Sequence, residues 1–320
     1  MVPFRLSALL LWPTLMMVIS GLAPAQTYPV KPVRIITSGA GGGNDVAARL
    51  VAQGLTDSLG QQVIVENRPA VIGIGTAAKA MPDGYTLLVA GNSLWLLPLM
   101  GDTSFDPIRD FSPIAEVARS PGIVVVHPSL PAKSVKELIA LARAKPGQLN
   151  YASGGTGSSN HLAAELFKHM AGINIVRIFY RSGGLALSSL VGGEVQLMLP
   201  TANSVTPHVK SGRLKALAVT SADTSVLAPG LPTVSASGLP GYESIQIYGA
   251  FVPAGTPSAL IVRLNQDISR FLALPAAKEK FFNIGSETVN TSPEQLATMI
   301  KSEIIRMGKV IKAADIKGSE

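Results

Sequence analysis

The sequence predicts an α/β fold in two lobes, each a mostly parallel sheet flanked by helices. Three observations carry that prediction. Short β-branched or apolar runs alternate with helical patterns, which is the signature of βαβ units. The alternation restarts at Gly122 after a first pass that ends at Ala90. Each pass opens on a similar unit: a short strand, a glycine-rich loop and a helix.

The elements follow in order. Val33-Arg34-Ile35-Ile36 is a β-branched strand. The loop Ser38-Gly39-Ala40-Gly41-Gly42-Gly43-Asn44-Asp45 leads into an alanine-rich amphipathic helix over residues 46–58. Residues 62–66 form a second strand, and residues 76–80 belong to a second helix. Pro82-Asp83-Gly84 then turns the chain into a third strand over residues 85–90. The second pass begins with an apolar strand, residues 122–127. Ser134 and Glu137 have capping-box spacing and open a helix that runs to Ala144. A strand over residues 149–152 meets the second loop, Ser153-Gly154-Gly155-Thr156-Gly157-Ser158-Ser159-Asn160, and a helix starts near His161. Further strands fit residues 174–179, 195–199 and 214–220.

Residues 222–241 are rich in Pro, Gly, Ser and Thr and read as an extended crossing back to the first lobe. A strand over residues 245–252 and a helix from Thr256-Pro257 to Leu274 follow. Ser292-Pro293-Glu294-Gln295 is a second capping box, with proline at the first helical position. The expected organisation is a discontinuous first lobe, residues 26–124 and 247–320, around an inserted second lobe, residues 125–246. Two crossings then form a hinge, and the cleft between the lobes is a natural small-molecule site.

Residues 1–25 stand apart. Arg5 is the only charge before Lys31, residues 6–19 are largely apolar, and Ala23-x-Ala25 is a small-residue cleavage site. This is the pattern of a secretory signal peptide cleaved near Ala25. The apolar run is shorter than the ~20 residues of a spanning helix, and Pro13 interrupts it. With no cysteine, the chain has no disulfide, thiolate metal site or lipid-anchoring cysteine.

The net charge of +7 raises a nucleic-acid reading. Its distribution opposes that reading, because the basic residues are scattered and the densest group lies along one C-terminal helix. Aromatic residues make up only 5% of the chain, too few for a base-stacking surface. The four histidines lack metal-ligand spacing with carboxylates. No nucleophile elbow or Ser/His/Asp order stands out, so no catalytic residue is assigned. Gly73-Ile74-Gly75-Thr76-Ala77-Ala78 matches a dinucleotide pattern but follows Asn67-Arg68-Pro69 instead of a clear strand. No cofactor and no metal are expected.

The loops carry the chemistry. The first turn of a helix has unpaired N–H groups and a partial positive charge. Glycines let backbone approach a ligand, so such a loop holds a carboxylate or phosphate without a cationic side chain. Four charge-assisted hydrogen bonds at roughly 1.5–3 kcal/mol each give about 6–12 kcal/mol. That range brackets the ~8 kcal/mol of micromolar binding. Each loop alone reads equally well as a tight turn. Asp45 is acidic and reads as a cap that accepts loop N–H groups.

Several motifs place the chain beside a known family. Tyr28-Pro29-x-Lys31-Pro32, Gly41-Gly42-x-x-Asp45 with Arg49, Val65-Glu66-Asn67-Arg68-Pro69 and Pro82-Asp83-Gly84-Tyr85-Thr86-Leu87 occur in order. Asp106-Pro107-x-x-Asp110-Phe111, Lys145-Pro146-Gly147, Tyr151-Ala152-Ser153 with His161-Leu162, Leu217-Ala218-Val219-Thr220 and Pro253-Ala254-Gly255-Thr256-Pro257 continue the series. Together they resemble the Bug (TctC-like) solute receptors of tripartite tricarboxylate transporters. The resemblance implies a periplasmic-binding-protein, or Venus flytrap, fold. It implies capture of a small organic acid and delivery to two membrane subunits; a monomer with no nucleic-acid partner is expected. Sensing for a signalling partner, or catalysis on a small carboxylic acid, are the competing functions. Carried over, the first-lobe contacts are Ser38, Gly41, Gly42, Asn44, Asn92 and Ser93. The second-lobe contacts are Ser153, Thr156, Gly157, Ser158, Ser159, Tyr180 and Thr201. The chain departs from the family at Thr37-Ser38, Asn44, Arg181-Ser182, Pro200 and Tyr248.

Overall fold

The computed structural model describes residues 28–41 and 43–317. The expected signal peptide and Gly42 lie outside the described residues. The first pass contains β1 (Val33–Thr37), α1 (Gly43–Leu59), β2 (Val63–Asn67), α2 (Ala70–Ala78), β3 (Thr86–Gly91) and α3 (Ser93–Leu96). A long strand, β4 (Phe111–Pro121), then leads out of the first sheet. The second pass contains β5 (Ile123–Val126), α4 (Val135–Ala144), β6 (Asn150–Ser153), α5 (Ser159–Ala171) and β7 (Val176–Phe179). It continues with α6 (Gly183–Val191), β8 (Leu197–Met198), α7 (Ala202–Lys210) and β9 (Lys215–Val219). The chain returns through β10 (Ile245–Pro253), α8 (Ser258–Ala273), α9 (Pro275–Asn283), β11 (Glu287–Thr288) and α10 (Pro293–Ala313).

Two sheets result. The first has six strands in the order β11-β4-β10-β3-β1-β2, and the second has five in the order β7-β6-β8-β5-β9. Both are mixed where mostly parallel sheets were expected. β1 pairs in parallel with β2 and β3, while β10 runs antiparallel to β3 and β4. In the second sheet β6 pairs in parallel with β7 and β8, while β5 runs antiparallel to β8 and β9. The reason lies in the crossings. The chain leaves the first sheet along β4 and re-enters it along β10, its neighbour. A strand that exits and a strand that returns at the same edge must run in opposite directions.

Those strands are pinned together where the chain crosses between the sheets. β4 and β10 pair from Ile245 opposite Pro121 to Pro253 opposite Phe111. Beyond their ends, the Gly122 N–H donates to Thr220 Oγ1 at 2.7 Å, and the Thr220 hydroxyl donates to the Ser244 carbonyl. A Cβ on Gly122 would sit 2.8 Å from Thr220 Oγ1 and 3.2 Å from the Pro200 carbonyl, so the close crossing requires glycine.

Local chemistry accounts for the elements that present the cleft. β1 alternates no polarity because Val33, Ile35 and Ile36 are all fully buried between helices. α1 buries Ala47, Ala48, Val51 and Leu55 against it. α4 is capped by Ser134, whose side chain accepts the Glu137 N–H at 3.2 Å. Glu137 reaches back to the Lys133 N–H, so the expected box is half formed. At α10 the box is complete between Ser292 and Gln295. α10 packs on β4, α3 and α5, tying the two sheets together across one continuous apolar core that includes Trp95, Tyr151, Phe167 and Met307. The Tyr242 hydroxyl adds a further tie by donating to the Ala163 carbonyl at 2.9 Å. Gly73 and Gly75 lie inside α2, where Gly75 lets Ser104 approach, so they form no phosphate loop.

Candidate functional site

A cavity of about 170 Å³ lies between the glycine-bearing ends of the two sheets. One wall carries Asn44 from α1 and Asn92 and Ser93 after β3, with Ser244 and Gln246 at the start of β10. Glu303 and Met307 enter from α10, and the other wall is Gly157, Ser158, Ser159 and Leu162. Six sequence-predicted residues therefore share one cavity: Asn44, Asn92, Ser93, Gly157, Ser158 and Ser159. Ser38 borders a small adjoining recess with Asn44 and Ser93.

The two loops differ in electrostatics. In the first, Asp45 is buried, and the Gly41 N–H donates to its Oδ2 at 2.9 Å. Asn67 Nδ2 donates to Asp45 Oδ1 at 2.8 Å and to the Ser38 carbonyl at 2.8 Å. Arg49 Nε pairs with Asp45 Oδ1 at 3.0 Å. Burial works to raise the Asp45 carboxyl, but the bonds from Asn67, Gly41 and Arg49 outweigh it and hold it below the usual range. The first loop thus closes around a fixed negative charge.

The second loop closes around a neutral group. The Gly157 N–H donates to His161 Nδ1 at 3.1 Å, which places the ring proton on Nε2. Burial, helped by the nearby Arg177 charge, pushes the imidazole down to about 4. The Ser158 N–H is used by the Gly155 carbonyl, and the Ser158 hydroxyl donates to Asn160 Oδ1 at 2.6 Å. Ser158 places no side-chain cap on the helix. The N–H groups of Ser159, Asn160 and His161 consequently have no hydrogen-bond partner among the described residues. Of the three residues, Ser159 lines the cavity, where the positive end of a 13-residue helix meets the wall.

Arg177 on β7 buttresses this loop from behind. Its Nε donates to Ser153 Oγ at 2.7 Å, its Nη2 to the Gly154 carbonyl at 2.9 Å and its Nη1 to Thr156 Oγ1 at 3.3 Å. Ser153 and Thr156 hold the loop in shape and lie outside the cavity wall. Tyr180 is also elsewhere, its hydroxyl bonded to Ser189 of α6. Thr201 stands at the N-cap position of α7 and bridges to Gly122 where the chain crosses between the sheets. Asn92 lines the cavity, but its amide spans β10: Nδ2 donates to the Ile245 carbonyl at 3.0 Å, and Oδ1 accepts the Ile247 N–H at 2.8 Å. Gly41 offers no free N–H.

This geometry agrees with what the chain is similar to. Residues 47–316 match the family described as tripartite tricarboxylate transporter family receptor, TctC. The chain belongs to that family. Protein BugT of Bordetella pertussis is 36% identical over 300 residues, covering 92% of each chain. Among solved structures, R. palustris Rpa4515 with adipate superposes with a TM-score of 0.78 at 32% identity, covering 91% of this chain and 100% of that one. MatC from Rhodopseudomonas palustris with bound malate gives 0.74 at 27% identity, covering 89% and 100%.

Within this receptor, sequence reasoning missed Arg177, Gln246 and Glu303. Arg177 lies 24 residues from the Ser153 it holds. Its only local signal is a lone charge within an otherwise apolar strand. Glu303 lies within the basic stretch of the C-terminal helix, yet it and Met307 line the cavity. Among the described residues no group of three or more metal-ligating side chains occurs, and no helix is long and apolar enough to cross a membrane.

Proposed function

We propose that this receptor captures a small organic acid in the cleft and delivers it to the membrane subunits of a tripartite tricarboxylate transporter. The ligand carboxylate sits on the second loop, against the N–H groups of Ser159, Asn160 and His161. The observation that carries this reading is the contrast between the loops. The first already holds the Asp45 carboxylate, whereas the second presents three free donors, a neutral histidine cap and the Arg177 charge behind. An anion is therefore drawn to the second loop without any lysine or arginine on the cavity wall. The adipate and malate bound to the similar structures support a carboxylate as the ligand class.

The receptor acts in the periplasm as a monomer, exported by residues 1–25 with cleavage near Ala25. Its lobes are residues 26–124 with 247–320, and residues 125–246, hinged at Gly122 and Thr220. Isothermal titration of the mature protein against mono-, di- and tricarboxylates tests the reading. A member of the panel binds at micromolar Kd or tighter, and at 100 times Kd it stabilises the fold by about 2.7 kcal/mol. If no carboxylate binds, the reading is wrong.

A further inference from the structure

Glu303 of α10 brings an acceptor to the cavity wall, whereas Asn44 is committed elsewhere. Asn44 Nδ2 donates to Ser38 Oγ at 3.0 Å, and Asn44 Oδ1 is buried with no partner. Glu303 takes both of its hydrogen bonds on one oxygen: Arg306 Nη2 at 2.6 Å and Arg306 Nε at 3.1 Å both reach Oε2. Oε1 has no partner among the described residues. Glu303 is only 14% exposed; burial pushes its carboxyl above the usual range, and the Arg306 charge works to lower it. Arg306 is also committed to the Glu243 carbonyl, which fixes it behind Glu303 and away from a ligand.

We propose that Glu303 is a specificity-determining residue, and that the receptor selects a monocarboxylate carrying a hydrogen-bond donor, a hydroxyl or an ammonium, at its far end. This rests on the carboxylate reading above and narrows it. With the single carboxylate on the N–H groups of α5, the donor satisfies Glu303 Oε1. A dicarboxylate brings a second anion against Glu303 and leaves Oε1 unmet. The discrimination therefore comes from repulsion as well as from attraction. This sets the chain apart from its similar structures with adipate and malate.

The test compares three ligands on one four-carbon scaffold by isothermal titration of the mature chain: 4-hydroxybutyrate, 4-aminobutyrate and succinate. The donor-bearing pair is expected to bind at least about tenfold tighter than succinate. In Glu303→Gln, that ratio is expected to shrink by about tenfold, because the amide keeps the shape and removes the charge. Succinate binding as tightly as both others in the wild type would overturn the proposal while leaving the carboxylate reading intact. So would a ratio unchanged in Glu303→Gln. The wild-type ratio needs no variant, so it decides the matter even if Glu303→Gln does not fold. If none of the three binds, while a longer carboxylate from the wider panel does, the same comparison at that length decides. If no carboxylate binds at all, both readings fall together.

Discussion

Replacing Ser159 by proline removes one backbone N–H from the cavity wall and little else. Ser159 is the first residue of α5, the helical position where proline is best tolerated. The residue before it, Ser158, has φ −63° and ψ 154°, the extended backbone that a following proline demands. The Ser159 N–H makes no hydrogen bond among the described residues, so none is lost. The first helical bond, from the Leu162 N–H to the Ser158 carbonyl at 3.0 Å, survives. Stability should therefore change by no more than about 1 kcal/mol. A charge-assisted bond to a carboxylate is worth about 1.5–3 kcal/mol. Its loss should raise Kd about ten- to hundredfold for the tightest carboxylate of the panel. Isothermal titration measures this, with Ser159→Ala as the control for the missing hydroxyl. If Ser159→Pro binds as tightly as Ser159→Ala, the ligand does not use this helix end, and the assigned anion position is wrong.

Two further outcomes follow from the same loop. His161 titrates at about 4 in the fold against an ordinary value near 6.5, so the unfolded chain binds the extra proton in that window and stability falls as pH falls from about 6.5 to about 4. The loss at pH 5 is about 2 kcal/mol; urea unfolding should show it in the wild type and not in His161→Asn, and parallel pH slopes would contradict the assignment. Gly157 has φ +76°, and a Cβ there would lie 2.6 Å from Met100 Cε. Gly157→Ala should cost about 1–2 kcal/mol in thermal unfolding. Measured in a Met100→Ala background, the cost of Gly157→Ala should shrink by only its steric part, and its disappearance there would show the backbone to be unstrained.

Much of this was legible one residue at a time. The β-branched run before Ser38, the glycines after it and the alanine-rich run beyond identify strand, loop and helix by local preference alone. The capping boxes at Ser134 and Ser292 marked helix starts because a cap bonds within three residues. β4 escaped notice because Pro113 and its mixed polarity mask a strand that is stabilised by β10, more than a hundred residues away. α6 and α7 escaped for a related reason: their small and polar residues carry weak periodicity, and burial against the second sheet stabilises them instead.

The sequence by itself determined two matched strand–loop–helix units, the family they belong to, and the absence of any cysteine chemistry. Those properties reside in short contiguous runs. Only the tertiary structure decided that the loops are unequal. Asp45 closes one loop on a carboxylate, and His161 closes the other on a neutral ring set in front of Arg177. It also decided that Tyr180 and Thr201 stand away from the cavity wall, and that Glu303 of α10 stands on it. Each of these depends on contacts between segments far apart in the chain, where the field at an atom is set by neighbours that no local pattern specifies.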